Sequence, residues 1–347
     1  MEKNKLHDFR VDILRIIAIC AVVLIHTTTR TLEASTFKLQ EVPWTLFLNQ
    51  TARFAVPLFF MISGFVLELN FKMHENYFVY FKKRISRIII PFIFWSGIYY
   101  FFVYKNHTEN FFQSLLGGDA SYQLYFIPAL FIFYLVFPLI HNFYKYLGSK
   151  QITILFGLIE VTLLYYDYFI SPIRLFYPIK IALFNYFVFY LGVVWVSNKE
   201  KLIIFLKKWK LLLIFFSVFL GIFIYIEGNN GYSQTHNYLT FYSQWRPSIL
   251  IYTISLAGLL YWIFNRNVKY LLIIKILSKL SFFVFFIHVI VLEFIWHEFL
   301  KDIFTKTHGT IANQLLFDPI YFFMVIVASF LIAFLLHKIP YISKITG

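Results

Sequence analysis

About ten apolar segments of roughly twenty residues recur along this chain, and they restrict its fold more than any other feature. Because hydrocarbon offers no water to the backbone, such segments must form α-helices that satisfy their own hydrogen bonds. We therefore predict an all-α, polytopic membrane helix bundle. The predicted spans are 11–29, 44–69, 85–104, 122–141, 152–170, 180–197, 211–226, 247–264, 281–296 and 318–337. A content of 60% hydrophobic and 14% charged residues agrees with this class.

The basic residues lie in short blocks between the apolar segments. Most of the 31 Lys and Arg fall in alternate connections, which predicts that both termini are cytoplasmic. The net charge of +14 is not collected in a basic domain, so we exclude nucleic acid and take the lipid bilayer as the partner. No connection is long enough for a soluble domain. We therefore expect residues 1–347 to form a single, multi-pass domain in the cell membrane.

Two further features narrow the class. The apolar run at the N-terminus is interrupted by Arg15 and lacks a small-residue cleavage site, so we interpret it as a retained span rather than a signal peptide. The single cysteine, Cys20, excludes a disulfide framework and a cysteine-rich zinc site. No metal is predicted.

The first span carries Asp12, Arg15 and His26. Charged and titratable groups in hydrocarbon are costly, so they indicate a functional site. Arg15 and His26 are eleven positions apart, which corresponds to three helical turns plus roughly 20° and a separation of about 16 Å. We predict that one helix face presents a cation low down and an imidazole high up.

The second span contains Arg53, Pro57, Ser63 and Gly64. Proline frees a backbone carbonyl, and Ser-Gly permits close helix approach, so these three residues predict a kinked packing helix. Arg53 allows two interpretations. It orients a polar or anionic substrate beside His26, or it extends its head group toward the membrane surface.

The next cytoplasmic block, FKKRISRIIIP, places Lys83, Arg84 and Arg87 close together. A positive-inside anchor requires only their charge, which favours that interpretation on the sequence alone. A phosphate site requires convergence, and Arg84 and Arg87 do share a helix face.

Three later spans carry proline or titratable residues. Pro128 and Pro138 predict that the fourth span is bent. In the ninth, His288 and Glu293 are about 140° apart and are not expected to pair. His288 either bonds to another helix or lines the active site. The fifth span contains a carboxylate, Glu160, for which the sequence suggests no partner.

The order of these motifs resembles the acyltransferase-3 family, in particular its stand-alone surface-polysaccharide O-acetyltransferases. The resemblance covers about residue 8 to about residue 296. It is carried by Asp12-x-x-Arg15-x10-His26, ARFAVPLFFMISGF, FKKRISRIIIP, YQLYFIPALFIFYLVFPLI and SFFVFFIH, with VVLIHTTT and VPLFFMISG the most specific pieces. The family's usual Leu-Trp-Phe stands here as Leu124-Tyr125-Phe126, which bears on acceptor or pantetheine contacts.

The resemblance implies transfer of an acetyl group from cytoplasmic acetyl-CoA, the co-substrate, to a glycan hydroxyl. The acceptor would be a cell-surface or extracellular polysaccharide or its lipid-linked precursor, and a polysaccharide synthase complex is a candidate partner. We assign the candidate residues as follows: His26 and Arg15 catalytic; Lys83, Arg84 and Arg87 for CoA; Arg53, Tyr125 and His288 for substrate.

Other functions remain open at this stage. A transporter or flippase for a lipid-linked sugar would also have bent helices and buried charges. A structural partner of a polysaccharide synthase is a third class. Succinyl transfer is an alternative to acetyl transfer, and His26 can act either as a general base or as a nucleophile that carries the acyl group.

Overall fold

The computed structural model describes residues 8–36, 41–71, 76–104, 109–148, 150–235, 243–265, 271–307 and 310–339, and this part of the chain contains helices and no strand. The all-α prediction is confirmed. The helices are α1 Phe9–Thr36, α2 Pro43–Thr51, α3 Ala55–Asn70, α4 Tyr77–Ile98, α5 Phe111–Gly117, α6 Phe126–Leu147, α7 Lys150–Tyr165, α8 Tyr177–Leu183, α9 Tyr186–Ser197, α10 Lys199–Lys208, α11 Lys210–Thr235, α12 Pro247–Ile263, α13 Leu271–Ile295, α14 Lys301–Thr307 and α15 Ile311–His337.

Helix lengths agree with a polytopic membrane protein. Within the described ranges, eight helical segments are long and apolar enough to cross a membrane. A ninth span is formed if α8 and α9, which meet at 48°, count as one. The predicted eighth span is α12, which has 17 residues and is shorter than those segments. Short π-helical segments extend three helices: Tyr99–Val103 after α4, Tyr166–Ile170 after α7 and Trp296–Leu300 after α13.

The chain divides into two compact units. The first contains Pro57–Lys208 together with the described ends of the chain, 8–11 and 337–339. Its helix α6 packs against α4, α8 and α9, and α7 packs against α9. Aromatic rings fill these contacts, as where Phe133 of α6 stacks on Phe189 of α9 with centroids 4.4 Å apart.

The second unit contains Asp12–Val56 and Trp209–Leu336. Helix α11 packs along α12 and also against α2. The start of α15 is joined to α2 by a buried hydrogen bond, in which the Thr45 hydroxyl donates to Asp318 Oδ2 at 2.6 Å. Both of these contacts hold α2, the helix that leads to Arg53.

The second predicted span is interrupted rather than simply kinked. Helix α2 ends at Thr51 and α3 begins at Ala55, with a short turn at 52–54 between them. Pro57 lies in the first turn of α3, where the missing N–H of proline is tolerated. Because Pro57 cannot donate to the carbonyl of Arg53, the helical ladder breaks at that turn. Arg53 therefore lies in the break.

Candidate functional site

Two histidines from distant parts of the chain meet in the second unit. His26 of α1 and His288 of α13 have ring centroids 5.3 Å apart, with the rings tilted by 32°. His288 is fully buried, whereas His26 is partly exposed. The pair therefore joins one partly exposed residue to one fully buried residue.

The hydrogen bond of His288 defines its tautomer. Its Nδ1 lies 3.0 Å from the Val284 carbonyl oxygen on the same helix. A carbonyl only accepts, so Nδ1 carries the hydrogen and Nε2 is left as an acceptor. Nε2 is buried and has no hydrogen-bond partner within the described residues. His288 thus contacts α1 through its ring, while its hydrogen bond stays within α13.

Arg53 lies in the turn between α2 and α3 and is 6% exposed. Its Nε and Nη2 donate to Asn49 Oδ1 at 3.2 and 2.6 Å. A guanidinium this deeply buried does not reach the membrane surface, so the snorkelling interpretation is wrong. Because Asn49 also donates to the Ile25 carbonyl of α1, Arg53 is tied to the helical turn that carries His26.

Arg15 lies lower on α1 in a polar cluster with α13. Arg15 Nη1 donates to Ser278 Oγ at 3.0 Å, and Ser278 donates to Asp12 Oδ1 at 2.7 Å. The carboxylate of Asp12 is also 3.7 Å from Arg15 Nη1. Serine therefore connects the two charged residues of the first span.

These contacts define two levels between α1 and α13. Arg15 meets Ser278 at one level and His26 meets His288 at the other. Because the order of the levels is the same on both helices, α1 and α13 run in the same direction. Both Arg15 and His26 face α13, which confirms that they share one face of α1.

The remaining predicted residues belong to the first unit. On α4, Arg84 is partly exposed and Arg87 is exposed. The Lys83 side chain is outside the described part of the chain. Tyr125 precedes α6, and its ring meets Tyr177 edge-on with centroids 5.5 Å apart. The structure thus brings together His26, His288 and Arg53 in the second unit, with Arg15 lower on α1.

Comparison with known proteins establishes the family. A family model described as an acyltransferase domain, acyltransferase-3, matches residues 8–338. This chain belongs to the acyltransferase-3 family.

Curated relatives of this acyltransferase-3 protein come from Staphylococcus aureus. The proteins named "Probable poly-beta-1,6-N-acetyl-D-glucosamine export protein" in strains MRSA252 and MSSA476 are each 25% identical over 293 residues. The alignments cover 79% of this chain and 80% of each relative. No solved structure matches this chain.

The acyltransferase-3 chain offers imidazole and guanidinium groups at its site. Across the ranges that the structure describes, no three His, Cys, Asp or Glu side chains are grouped as metal ligands. An imidazole in such a site can deprotonate a hydroxyl. A buried guanidinium beside it can stabilise a developing oxyanion.

Several residues of this acyltransferase-3 site were not found from the sequence. Asn49 and Gln50 lie inside the predicted second span, Ser278 lies just before the predicted ninth and Arg246 just before the eighth. All four are buried. The available signal was a polar residue in or beside an apolar run, a position where such residues are costly.

Glu293 and Glu160, the two glutamates singled out in the sequence, have partners other than His288. Glu293 Oε2 lies 3.6 Å from Arg30 Nη2 and 3.5 Å from His297 Nε2, so the prediction that it does not pair with His288 is confirmed. Glu160 Oε2 accepts from the Phe187 backbone N–H at 2.6 Å. That N–H belongs to the first turn of α9, where helical backbone donors need an external acceptor.

Proposed function

We propose that this chain is a membrane O-acyltransferase. It moves an acetyl group from cytoplasmic acetyl-CoA to a hydroxyl of a cell-surface or extracellular polysaccharide or its lipid-linked precursor. The observation that carries this proposal is the contact of His26 with His288, beside the turn to which Asn49 ties Arg53, in a chain of the acyltransferase-3 family.

In the proposed reaction, a ring nitrogen of His26 takes the proton of the acceptor hydroxyl. The oxygen attacks the thioester carbonyl, the carbon–sulfur bond breaks, and CoA leaves as a thiolate that takes up the proton. In the alternative, His26 itself attacks the thioester and holds the acetyl group before the hydroxyl accepts it. Arg53 stabilises the negative charge on the carbonyl oxygen in both versions.

The other candidate residues have proposed binding roles. Arg84 and Arg87, with Lys83, bind the phosphates of CoA, for which guanidinium groups are suited. Arg15, which Asp12 and Ser278 hold in place, lies on the same face of α1 as His26 and keeps its proposed catalytic role. Tyr125 is a proposed acceptor contact. His288, which is fully buried against His26, has the proposed role of supporting that ring.

Two findings from the comparisons support these assignments. The family match covers residues 8–338, which supports a single membrane domain that acts as one enzyme. The relatives are named for poly-β-1,6-N-acetyl-D-glucosamine, which supports a polysaccharide acceptor and a polysaccharide synthase complex as a partner.

The test uses the full chain purified into lipid nanodiscs with radiolabelled acetyl-CoA and oligomers of β-1,6-linked N-acetylglucosamine. We expect acetyl transfer by the unchanged chain, and a loss of about 10²-fold or more in His26→Ala. The control is His297→Ala, since His297 is mostly exposed and paired with Glu293. A His26→Ala protein that inserts normally and retains full transfer would contradict the mechanism. Succinyl-CoA in a parallel reaction identifies the acyl group.

Polysaccharide export is the second candidate function, because the relatives are named as export proteins. An exporter moves labelled oligosaccharide across a proteoliposome membrane without acetyl-CoA and with little dependence on His26. An acyltransferase requires both. The same purified protein therefore distinguishes the two functions.

A further inference from the structure

Asn49 of α2 is a point where several elements of the second unit meet. Its Nδ2 lies within hydrogen-bond distance of three acceptors on α1: the Ile25 carbonyl at 3.1 Å, and the hydroxyls of Thr28 and Thr29 at 3.0 Å. Its Oδ1 accepts from Arg53 at 2.6 and 3.2 Å. The side chain is fully buried.

The orientation of this amide follows from its neighbours. Guanidinium groups only donate, so the atom that faces Arg53 must be the carbonyl oxygen. The NH2 group then faces α1, where the Ile25 carbonyl only accepts. One rigid amide therefore joins the turn that holds Arg53 to the helical turn that carries His26.

A second layer holds the amide in place. Gln50 Nε2 also donates to Asn49 Oδ1 at 3.2 Å, and Gln50 Oε1 accepts from Arg246 Nη2 at 2.5 Å. Arg246 is fully buried and pairs with Glu227 of α11 at 3.2 Å. Gly228, which follows Glu227 in α11, has no side chain and so makes room for Gln50. A Cβ at this position would lie 2.7 Å from the Gln50 amide carbon.

We propose that Asn49 is a positioning residue for acyl transfer, which fixes Arg53 relative to His26. This inference rests on the proposed function. A cation accelerates the reaction only if it is already placed where negative charge develops, and a displacement of about 1 Å can cost on the order of 10²-fold in rate. Asn49 itself contacts neither reacting group of the substrate.

Neighbouring threonines provide a matched pair of variants. Thr27 and Thr28 are both buried and both bond to carbonyls of their own helix. Thr28 also accepts from Asn49, whereas the Thr27 hydroxyl bonds only within α1 in the described residues. We expect Thr28→Val to lower kcat for acetyl transfer several-fold with little change in KM for acetyl-CoA, and Thr27→Val to match the unchanged chain.

Variants of Asn49 separate the contact of its carbonyl oxygen with Arg53 from the contact of its NH2 group with α1. Asn49→Asp keeps an acceptor for Arg53 but cannot donate to α1, and Asn49→Ala removes both contacts. We expect both to lower kcat, with Asn49→Ala losing on the order of 10²-fold. In an Arg53→Ala background, Asn49→Ala should have little further effect, because a positioning residue has nothing left to position. Full additivity of the two losses would overturn the proposal.

A second measurement does not require acyl transfer. Diethyl pyrocarbonate modifies imidazole rings, and peptide mass spectrometry after labelling of the folded, monodisperse protein gives the rate at His26. Loss of the tie to α2 should raise this rate several-fold in Thr28→Val and Asn49→Ala, and not in Thr27→Val. Equal rates in all variants would overturn the role of Asn49. If the modification rates of the variants differ as expected but the unchanged chain transfers no acetyl group, the proposed function is refuted and the positioning role of Asn49 is not.

Discussion

At the scale of single residues, polar side chains of the second unit find their partners on other helices. Ser278 of α13 bonds to Asp12 and Arg15 of α1, and Asn49 of α2 bonds to the Ile25 carbonyl of α1. A buried polar group that lacks such a partner is costly in a medium of low dielectric constant. The polar residues therefore specify which helices meet and in which register.

We predict that Ser278→Ala lowers the stability of the protein. The change removes a donor to Asp12, which is 7% exposed, and an acceptor for Arg15. Loss of a partner for a buried charged group should cost about 1–3 kcal/mol. Thermal unfolding in detergent, followed by loss of the monodisperse peak in size-exclusion chromatography, measures the effect.

Ser281→Ala is the matched control for this change. Ser281 is on the same helix and equally buried, but in the described residues its hydroxyl donates only to the Ser278 carbonyl. We expect its thermal midpoint to stay close to that of the unchanged protein. Equal midpoints for the two variants would show that the contact between α1 and α13 contributes little.

At the scale of helices, close backbone contact joins α3 and α9 in the first unit. A Cβ added to Gly64 would lie 2.1 Å from the Phe189 carbonyl oxygen, which leaves no room for any side chain. Gly192 makes the reciprocal contact, since its Cβ would be 2.0 Å from the Met61 carbonyl oxygen. The prediction that Ser63-Gly64 permits close helix approach is confirmed, in agreement with the use of small residues where membrane helices touch.

We predict that Gly64→Ala destabilises the protein by at least about 1–3 kcal/mol, because two backbones would have to separate. Gly97→Ala on α4 is the control, since outside the helix's own backbone no atom of the described residues lies within 4 Å of a Cβ there, and alanine is the better helix former. Thermal midpoints of the two variants in the same detergent provide the comparison. A Gly64→Ala midpoint as high as that of Gly97→Ala would contradict close contact between α3 and α9.

At the scale of the whole molecule, charge between the helices predicts the orientation in the membrane. The first and ninth predicted spans correspond to α1 and α13, which run in the same direction, as the alternation of basic and mixed connections requires. Large apolar side chains such as Leu155, Phe215 and Phe323 are exposed, as is expected for surfaces that face lipid.

We predict that both termini are cytoplasmic, because basic connections stay on the inner side. A fluorescent protein fused after Gly347 should fluoresce, and alkaline phosphatase at the same position should be inactive. The same phosphatase inserted after Thr235, between α11 and α12 on the predicted outer side, should be active and serves as the control. Phosphatase activity at the C-terminus would contradict the prediction, and would mean that the orientation is reversed or that the number of crossings is odd.

Two properties followed from the order of residues alone: the class of fold, and the face of α1 that carries Arg15 and His26. Apolar length decides helix formation in a membrane, and helical geometry then determines which residues share a face. Both are local properties, so a single stretch of chain contains the information.

The groups that surround His26, in contrast, became known from the packing of the helices. Asp12 and Ser278 are 266 positions apart. His288 comes from α13, whereas Asn49 and Arg53 come from the end of α2 and the turn after it. Arg53 lies in the break between α2 and α3, so its buried position does not follow from treating the span as one regular helix. Such contacts depend on how helices pack, and an apolar pattern does not encode which helices become neighbours.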